Sequence, residues 1–320
     1  MSDHRVLLYF AWSHPAEAGA PLTVIDDRFP AVFELRRLFY PKYEGLADQD
    51  AVDQGIGGFL DHIQKPNFAA FAEQAGVIAV ERVDGSGIMT PLDEALIADA
   101  DTIIVISFDS FRTGQAVSDG EIEAIGRFLD DPGHLVFVCP HHDIGETSGA
   151  PAQAREALQL AEHRHHGDPG IPPRQGFGGF ARALLAGLGV PVENRFGLRP
   201  AVAADGTPAP AEIERGLDRL GLLDGVETFN LHPHLPQLER IGPAAARMDV
   251  LARQPIDPDA PPHPFTQHGR STFDALLQSG PGTFAGTLLV CDTTMFSATA
   301  GGLDDLRRFW SNILSRPKRP

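Results

Sequence analysis

Five short apolar runs, separated by segments long enough to hold a helix, restrict the fold of this 320-residue chain more than any other feature. They lie near 5–12, 77–81, 101–107, 135–139 and 286–291. Each is close to continuous in Val, Ile, Leu and Phe, which is the pattern of a strand buried on both faces. Helix signals fall between them. Ser118-Asp119-Gly120-Glu121 forms a capping box that opens a helix running to Leu129, and Pro132-Gly133 ends it. Asp93 caps a brief helix after Thr90-Pro91-Leu92. Further helices are expected over Pro151 to His163, Phe180 to Leu188 and Leu303 to Leu314. Phe29 to Tyr40 carries Val32, Phe33, Leu35, Leu38 and Phe39 on one face and is stopped by Pro41, and 44–75 reads as loop and helices. Strands and helices in alternation, with connections of this length, predict right-handed crossovers and a mainly parallel sheet.

Two stretches read as surface structure instead. Residues 201–210 are an Ala/Pro/Gly-rich turn, and 255–264 carry five prolines, which no element interior accepts. No internal repeat and no shift in composition divides the chain. One α/β domain over 1–320 is expected, with insertions at about 144–175 and 200–284.

In a parallel sheet ligands bind beyond the carboxyl ends of the strands. That draws attention to Leu135-Val136-Phe137-Val138-Cys139-Pro140-His141-His142-Asp143, where an apolar strand runs into a thiol, two imidazoles and a carboxylate. The last apolar run leads in the same way into Asp292, and His232-Pro233-His234 follow Val226–Leu231. If that segment is extended, His232 and His234 point to one side. His141 or His142 is expected to converge with His232 or His234 in one pocket. Imidazole suits general acid–base work because it titrates near neutrality. The candidate catalytic residues are therefore His141, His142, Asp143, His232 and Asp292. Imidazoles with carboxylates also suit zinc, iron or manganese, and His142, His232 and His234 are the candidate ligands of such a divalent metal.

Weaker signals are read structurally. Glu162-His163-Arg164-His165-His166 sits where histidines complement a helix C-terminus. Gly176-Phe177-Gly178-Gly179 precedes a helix but follows no strand, so it reads as a packing turn, not an anion cradle. His263 and His268 fall in the proline-rich loop. Asp109 at the end of the third strand and Asp292 after the last share the crevice edge, each placed to orient a histidine or to cap a helix, and Asp143 or Asp292 is the expected orienting partner of the site histidines. Cys139 and Cys291 each end an apolar strand at one sheet edge, which predicts thiols side by side yet unbridged.

The net charge of −17 is spread along the chain and would repel polyanions, so neither nucleic acid nor an anionic membrane is expected as a partner. No apolar run has the length needed to cross a bilayer. Two cysteines and the absence of a signal-peptide pattern point to reduced thiols and a cytoplasmic location. The expected partner is a small-molecule substrate, with self-association into a homo-oligomer left open.

Three segments carry a family resemblance. Asp101–Ile106, the helix ending Gly126-Arg127-Phe128-Leu129 and the run Gly133–Val138 resemble the core of class I glutamine-amidotransferase-like and ThuA-like proteins. Gly286–Phe296 looks like their final strand, running into an aspartate and a small-residue turn, and Leu184–Val192 is similar to the helix-to-strand segment between. The resemblance covers roughly residues 95–200 and 285–315. It implies a flavodoxin-like three-layer sandwich with a mainly parallel sheet and with the insertions placed over its C-terminal edge. An amidotransferase activity would make Cys139 the nucleophile and would use a later His-Pro-Glu. Here Pro140 and His141 stand where the nucleophile turn needs small residues, and His234 replaces the acid. The sequence is therefore read as a hydrolase acting through histidine and aspartate on a small polar substrate. The alternative is a non-catalytic ligand-binding or assembly protein on the same fold.

Overall fold

The computed structural model describes residues 4–18, 76–107, 109, 115–142, 150–167, 178–195, 197–232, 235–296 and 302–316. The helix expected over 29–40 and the helices and loop expected over 44–75 lie outside these residues.

Among the described residues the chain builds one eight-stranded sheet. Its strands are β1 (Val6–Ser13), β2 (Val77–Val83), β3 (Thr102–Ser107), β4 (Leu135–Pro140), β7 (Glu212–Ile213), β10 (Met248–Pro255), β11 (Thr272–Ser279) and β12 (Thr287–Cys291). Two short antiparallel pairs stand apart from it: β5 (Val192–Glu193) with β9 (Glu239–Arg240), and β6 (Gly197–Leu198) with β8 (Leu235–Pro236). The sheet order is β2-β1-β3-β4-β12-β11-β10-β7. The first five strands run parallel, and β11, β10 and β7 extend the sheet by antiparallel pairing. This mixed, mostly parallel α/β arrangement is compatible with a flavodoxin-like fold. All five expected strands lie in the parallel part.

The sequence reading assigned no strand to 200–284, yet β7, β10 and β11 come from that segment. At the start of β10 (Met248–Val250) and in the first half of β11 apolar and polar residues alternate, and Met248, Val250, Phe273 and Ala275 are buried. Polar residues conceal the pattern. Gln254 and Gln278 are also buried, and their amides donate to the carbonyls of Asn230 and Leu217. Such long-range partners satisfy buried amides without leaving a mark in the local sequence.

Helices α1 (His14–Ala18), α2 (Glu94–Ile97), α3 (Asp119–Phe128), α4 (Ala152–His166), α5 (Gly179–Gly187), α6 (Ala244–Arg247) and α7 (Leu303–Ser315) complete the described elements. Because side chains alternate across a strand, each central strand feeds two apolar cores. On one face Leu8, Ile104, Phe137 and Leu289 pack against Leu306, Phe309, Trp310 and Ile313 of α7. Phe137 meets the Phe309 ring edge-on at 5.7 Å, a favoured geometry for opposed quadrupoles. On the other face Tyr9, Val105, Val138 and Val290 pack against Ile125 and Phe128 of α3 and Phe180 and Leu184 of α5.

The predicted capping box is present. Ser118 Oγ accepts from Glu121 N, and Glu121 Oε2 accepts from Ser118 N at 2.9 Å. Glu121 has a second task, because its buried carboxylate also pairs with Arg82 and accepts from Leu92 N at 2.8 Å. Arg82 in turn donates to the Tyr9 hydroxyl at 3.1 Å. Burial pushes the Tyr9 phenol up to about 12, with Arg82 opposing that rise.

Candidate functional site

Strands β4 and β12 are neighbours, with Val138 paired to Val290, so the residues that follow them emerge side by side at the C-terminal edge. Cys139, next to last in β4, and Cys291, last in β12, hold their sulfurs 3.6 Å apart, both buried and both free. This is the unbridged contact expected from the sequence. Burial, with the Cys291 thiol and the Asp292 charge adding to it, raises the Cys139 thiol well above its ordinary range. A thiol held protonated in this way is a poor nucleophile.

One step further out, His142 and Asp292 meet. The Nδ1 of His142 lies 3.2 Å from Asp292 Oδ1, and the two residues are 1% and 3% exposed. The carboxylate is well supported. Thr294 donates to Oδ1 through its backbone N–H at 2.9 Å and its hydroxyl at 2.6 Å. Asn194, just past β5, donates through Nδ2 to Oδ2 at 3.1 Å. The same Nδ2 also reaches the Pro140 carbonyl at 3.2 Å. Burial alone would raise the Asp292 pKa. The charge and hydrogen bond of His142 and the Thr294 bonds outweigh it and hold the carboxyl below the ordinary carboxylate range. Asp292 is thus an anion that fixes Nδ1 of His142 as a proton donor.

The other imidazoles are arranged around His142. His141 is half-buried and stacks on it with ring centres 4.4 Å apart, and its Nδ1 donates to the His142 carbonyl at 3.0 Å. Arg182 of α5 donates to the His141 carbonyl at 3.3 Å. His232 presents its ring edge to His142 at 5.6 Å. It is placed by Asn230, whose Oδ1 accepts the His232 N–H at 3.2 Å and whose Nδ2 donates to the Thr294 carbonyl. Gln254 ties the same loop to β10 by donating to the Asn230 carbonyl at 3.2 Å. The structure therefore brings together His141, His142, His232 and Asp292. Asp143 and His234 lie outside the described residues. Among the described residues no group of three His, Cys, Asp or Glu side chains is placed to hold a metal ion.

Three residues of this cluster were not picked out from the sequence: Asn194, Asn230 and Thr294. The Asp292-Thr293-Thr294 run is a turn signal, in which a carboxylate accepts from the residue two positions on, and it was legible in principle. Nothing local marks Asn194 as a partner of Asp292.

Several of the remaining polar candidates have structural partners. Asp109 caps α5, since its Oδ2 accepts from Phe180 N at 3.0 Å while Ser107 Oγ accepts from Ala181 N at 3.1 Å. These bonds occupy the helix N–H groups that an anion would need. Gly178 takes φ +67°, and a Cβ there would lie 2.8 Å from the backbone nitrogen of His141. Only glycine permits that approach between the α5 entry and the end of β4. His165 and His166, at the end of α4, bond to carbonyls of other segments, Pro261 at 2.7 Å and Gly197 at 2.8 Å.

No family model matches the chain, and no curated protein sequence matches it. No helix among the described residues is long and apolar enough to cross a membrane.

Proposed function

We propose that this chain is a hydrolase of small polar substrates in which His142 is the general base and Asp292 its orienting anion. The observation that carries the reading is the buried His142 Nδ1 to Asp292 Oδ1 contact at the carboxyl ends of two adjacent parallel strands. With Nδ1–H donated to Asp292, proton exchange falls to Nε2, which takes a proton from the attacking water or hydroxyl and returns it to the leaving group. Asp292 then stabilises the imidazolium that forms, and its supports from Thr294 and Asn194 keep it from rotating away. His232 and His141 are secondary imidazoles, placed to bind or polarise the substrate. The raised Cys139 thiol favours this assignment over a cysteine nucleophile.

In this reading the chain is a single cytoplasmic α/β domain over 1–320, a flavodoxin-like three-layer sandwich whose insertions at about 144–175 and 200–284 cover the C-terminal edge. The strand order β2-β1-β3-β4-β12 supports kinship with the class I glutamine-amidotransferase-like and ThuA-like superfamily. Zinc, iron or manganese on His142, His232 and His234 is a second form of the same proposal. A carboxylate on the far ring nitrogen is how metal-binding histidines are commonly oriented, and the Asp292 contact has that character. No step above depends on it.

The test is a screen of purified protein against chromogenic esters, amides and phosphoesters, with metal analysis of the same sample. Activity should fall by at least about 100-fold in His142→Asn, the usual weight of a general base, with the circular dichroism spectrum retained. Equal activity in the variant and the parent would overturn the assignment. Stoichiometric metal would select the second form. Ligand binding with no turnover would favour a binding protein on this fold.

A further inference from the structure

A second group of histidines lies at the end of α4, and the proposed chemistry does not use it. Glu162, His165 and His166 are all buried there. Glu162 and His166, one helical turn apart, grip a single residue of β6: Glu162 Oε1 accepts from Gly197 N at 2.8 Å, and His166 Nε2 donates to Gly197 O at 2.8 Å. His165 uses both ring nitrogens. Its Nδ1 donates to the Pro261 carbonyl at 2.7 Å, and its Nε2 accepts the Arg199 N–H at 3.1 Å. His263, buried with its ring 5.3 Å from that of His165, accepts the Phe265 N–H on Nδ1 at 3.0 Å. That bond caps the short turn Pro264–Thr266.

In each of these two rings the nitrogen that would take a proton is occupied by a backbone N–H. A second proton on either ring must break that bond. It must also place a cation in a buried contact whose other ring would be cationic too. The surrounding charges do not remove this cost. Arg199 adds a positive charge beside His165, and its guanidinium is already paired with Asp257 at 3.1 Å. Glu162 accepts from Gly197 N and lies 3.9 Å from Nε2 of His166, so its charge faces that ring, which stands 6.2 Å from the ring of His165, and Arg270 lies over the Phe265 ring at 4.5 Å.

We propose that the end of α4 is an acid-released latch: proton uptake by His165 and His263 detaches the helix from residues 197–199 and from the loop 257–266 while the central sheet stays folded. Burial lowers both histidines, and His263 reaches about 3, so both are neutral when the latch is closed. Once released they regain an ordinary histidine pKa near 6.5. Opening therefore takes up protons as the pH falls below that value, and closing releases them. Gly197 is three residues beyond Asn194, which supports Asp292, so release loosens the chain next to the His142 site.

The experiment is amide hydrogen exchange on the 320-residue chain at pH 7.5 and pH 5.0, corrected for intrinsic rates. Each histidine that is neutral when closed and free when open favours opening by about 30-fold over that interval. Exchange across 152–166 and at residues 197–199 should rise roughly 30- to 1,000-fold, with 102–107 in β3 unchanged. His263→Asn keeps a side-chain oxygen able to accept the Phe265 N–H but does not titrate, so it should cut the rise by about 30-fold. Unchanged protection of α4, or loss of α4 and β3 together, would overturn the latch. A full parental rise in His263→Asn would remove His263 from it. If that variant does not fold, the exchange of the parent protein alone decides. None of these readouts uses catalysis, so they stand or fall independently of the hydrolase assignment.

Discussion

His142 and Asp292 are 150 positions apart in sequence and 3.2 Å apart in space. The contact exists because β4 and β12 are parallel neighbours in matched register, so residues one or two positions past each strand end arrive at the same height. An anion buried against an imidazole has consequences that can be measured without a substrate.

The first concerns Asp292→Asn. It keeps the shape of the side chain but removes a charge supported by His142, Thr294 and Asn194. Breaking a buried, hydrogen-bonded pair of this kind costs about 3–5 kcal/mol. Because the folded Asp292 pKa lies below its unfolded value, the stabilisation is complete above the ordinary carboxylate range. It is lost as pH falls through the folded pKa. Urea unfolding should show the full deficit at pH 7 and a narrowing gap below about pH 4. A deficit that does not vary with pH would mean that the charge of Asp292 contributes nothing.

The thiols offer a second check. Cys139 and Cys291 are buried, and Cys139 is held protonated. With a disulfide reagent at pH 8, native protein should react at least about 100-fold more slowly than unfolded protein, because only the exposed thiolate attacks. Both thiols should become reactive together on unfolding. Rapid labelling of Cys139 alone, with loss of activity, would revive the cysteine-nucleophile reading.

At the alkaline end the responsible group is Tyr9. Its folded pKa is raised to about 12, so its contribution to stability is intact below pH 10 and disappears as pH climbs toward 12. Ultraviolet titration should show a late tyrosine ionisation that accompanies unfolding, and Tyr9→Phe should remove that step. Arg82→Met leaves the Glu121 carboxylate buried and unpaired, and should lower stability by about 3–5 kcal/mol at neutral pH.

Gly178→Ala tests the close approach beneath His141. A Cβ there meets backbone atoms at 2.8, 2.9 and 3.1 Å, which cannot swing aside as a side chain can. Gly206, at φ +84° with nothing within 4 Å of a Cβ, isolates the conformational penalty alone. Gly206→Ala should cost about 1–2 kcal/mol and Gly178→Ala clearly more. Equal losses in thermal denaturation would show that contact with His141 is not what requires glycine.

The parts of this architecture that announce themselves in the sequence are those governed by local pattern. The apolar runs of β1, β3, β4 and β12 and the Ser118 capping box need no distant information. The sequence offers Asp143 or Asp292 as the carboxylate that orients a histidine but does not choose between them, since parallel neighbours are fixed by topology and not by spacing. Of the two adjacent histidines, the sequence did not choose which would turn inward. Burial and the Asp292 bond select His142, while His141 stacks on its outer side. Asn194 and Gln254 escaped notice for a different reason. An amide reveals its role only through the acceptor it reaches, and both acceptors come from remote segments.

The position of β12 bears on how such a chain assembles. It lies between β4 and β11, in the interior of the sheet, yet it is the last of the eight strands to be synthesised. Until residues 287–291 arrive, the nascent chain can form a parallel block of β2, β1, β3 and β4 and an antiparallel block of β11, β10 and β7, each with an open, apolar edge. The final strand closes that gap and delivers Asp292 to His142 in the same event. Closure of the sheet and formation of the His142–Asp292 pair therefore coincide late and depend on very long-range contacts, the kind that slow folding and leave strand edges exposed to aggregation in the meantime.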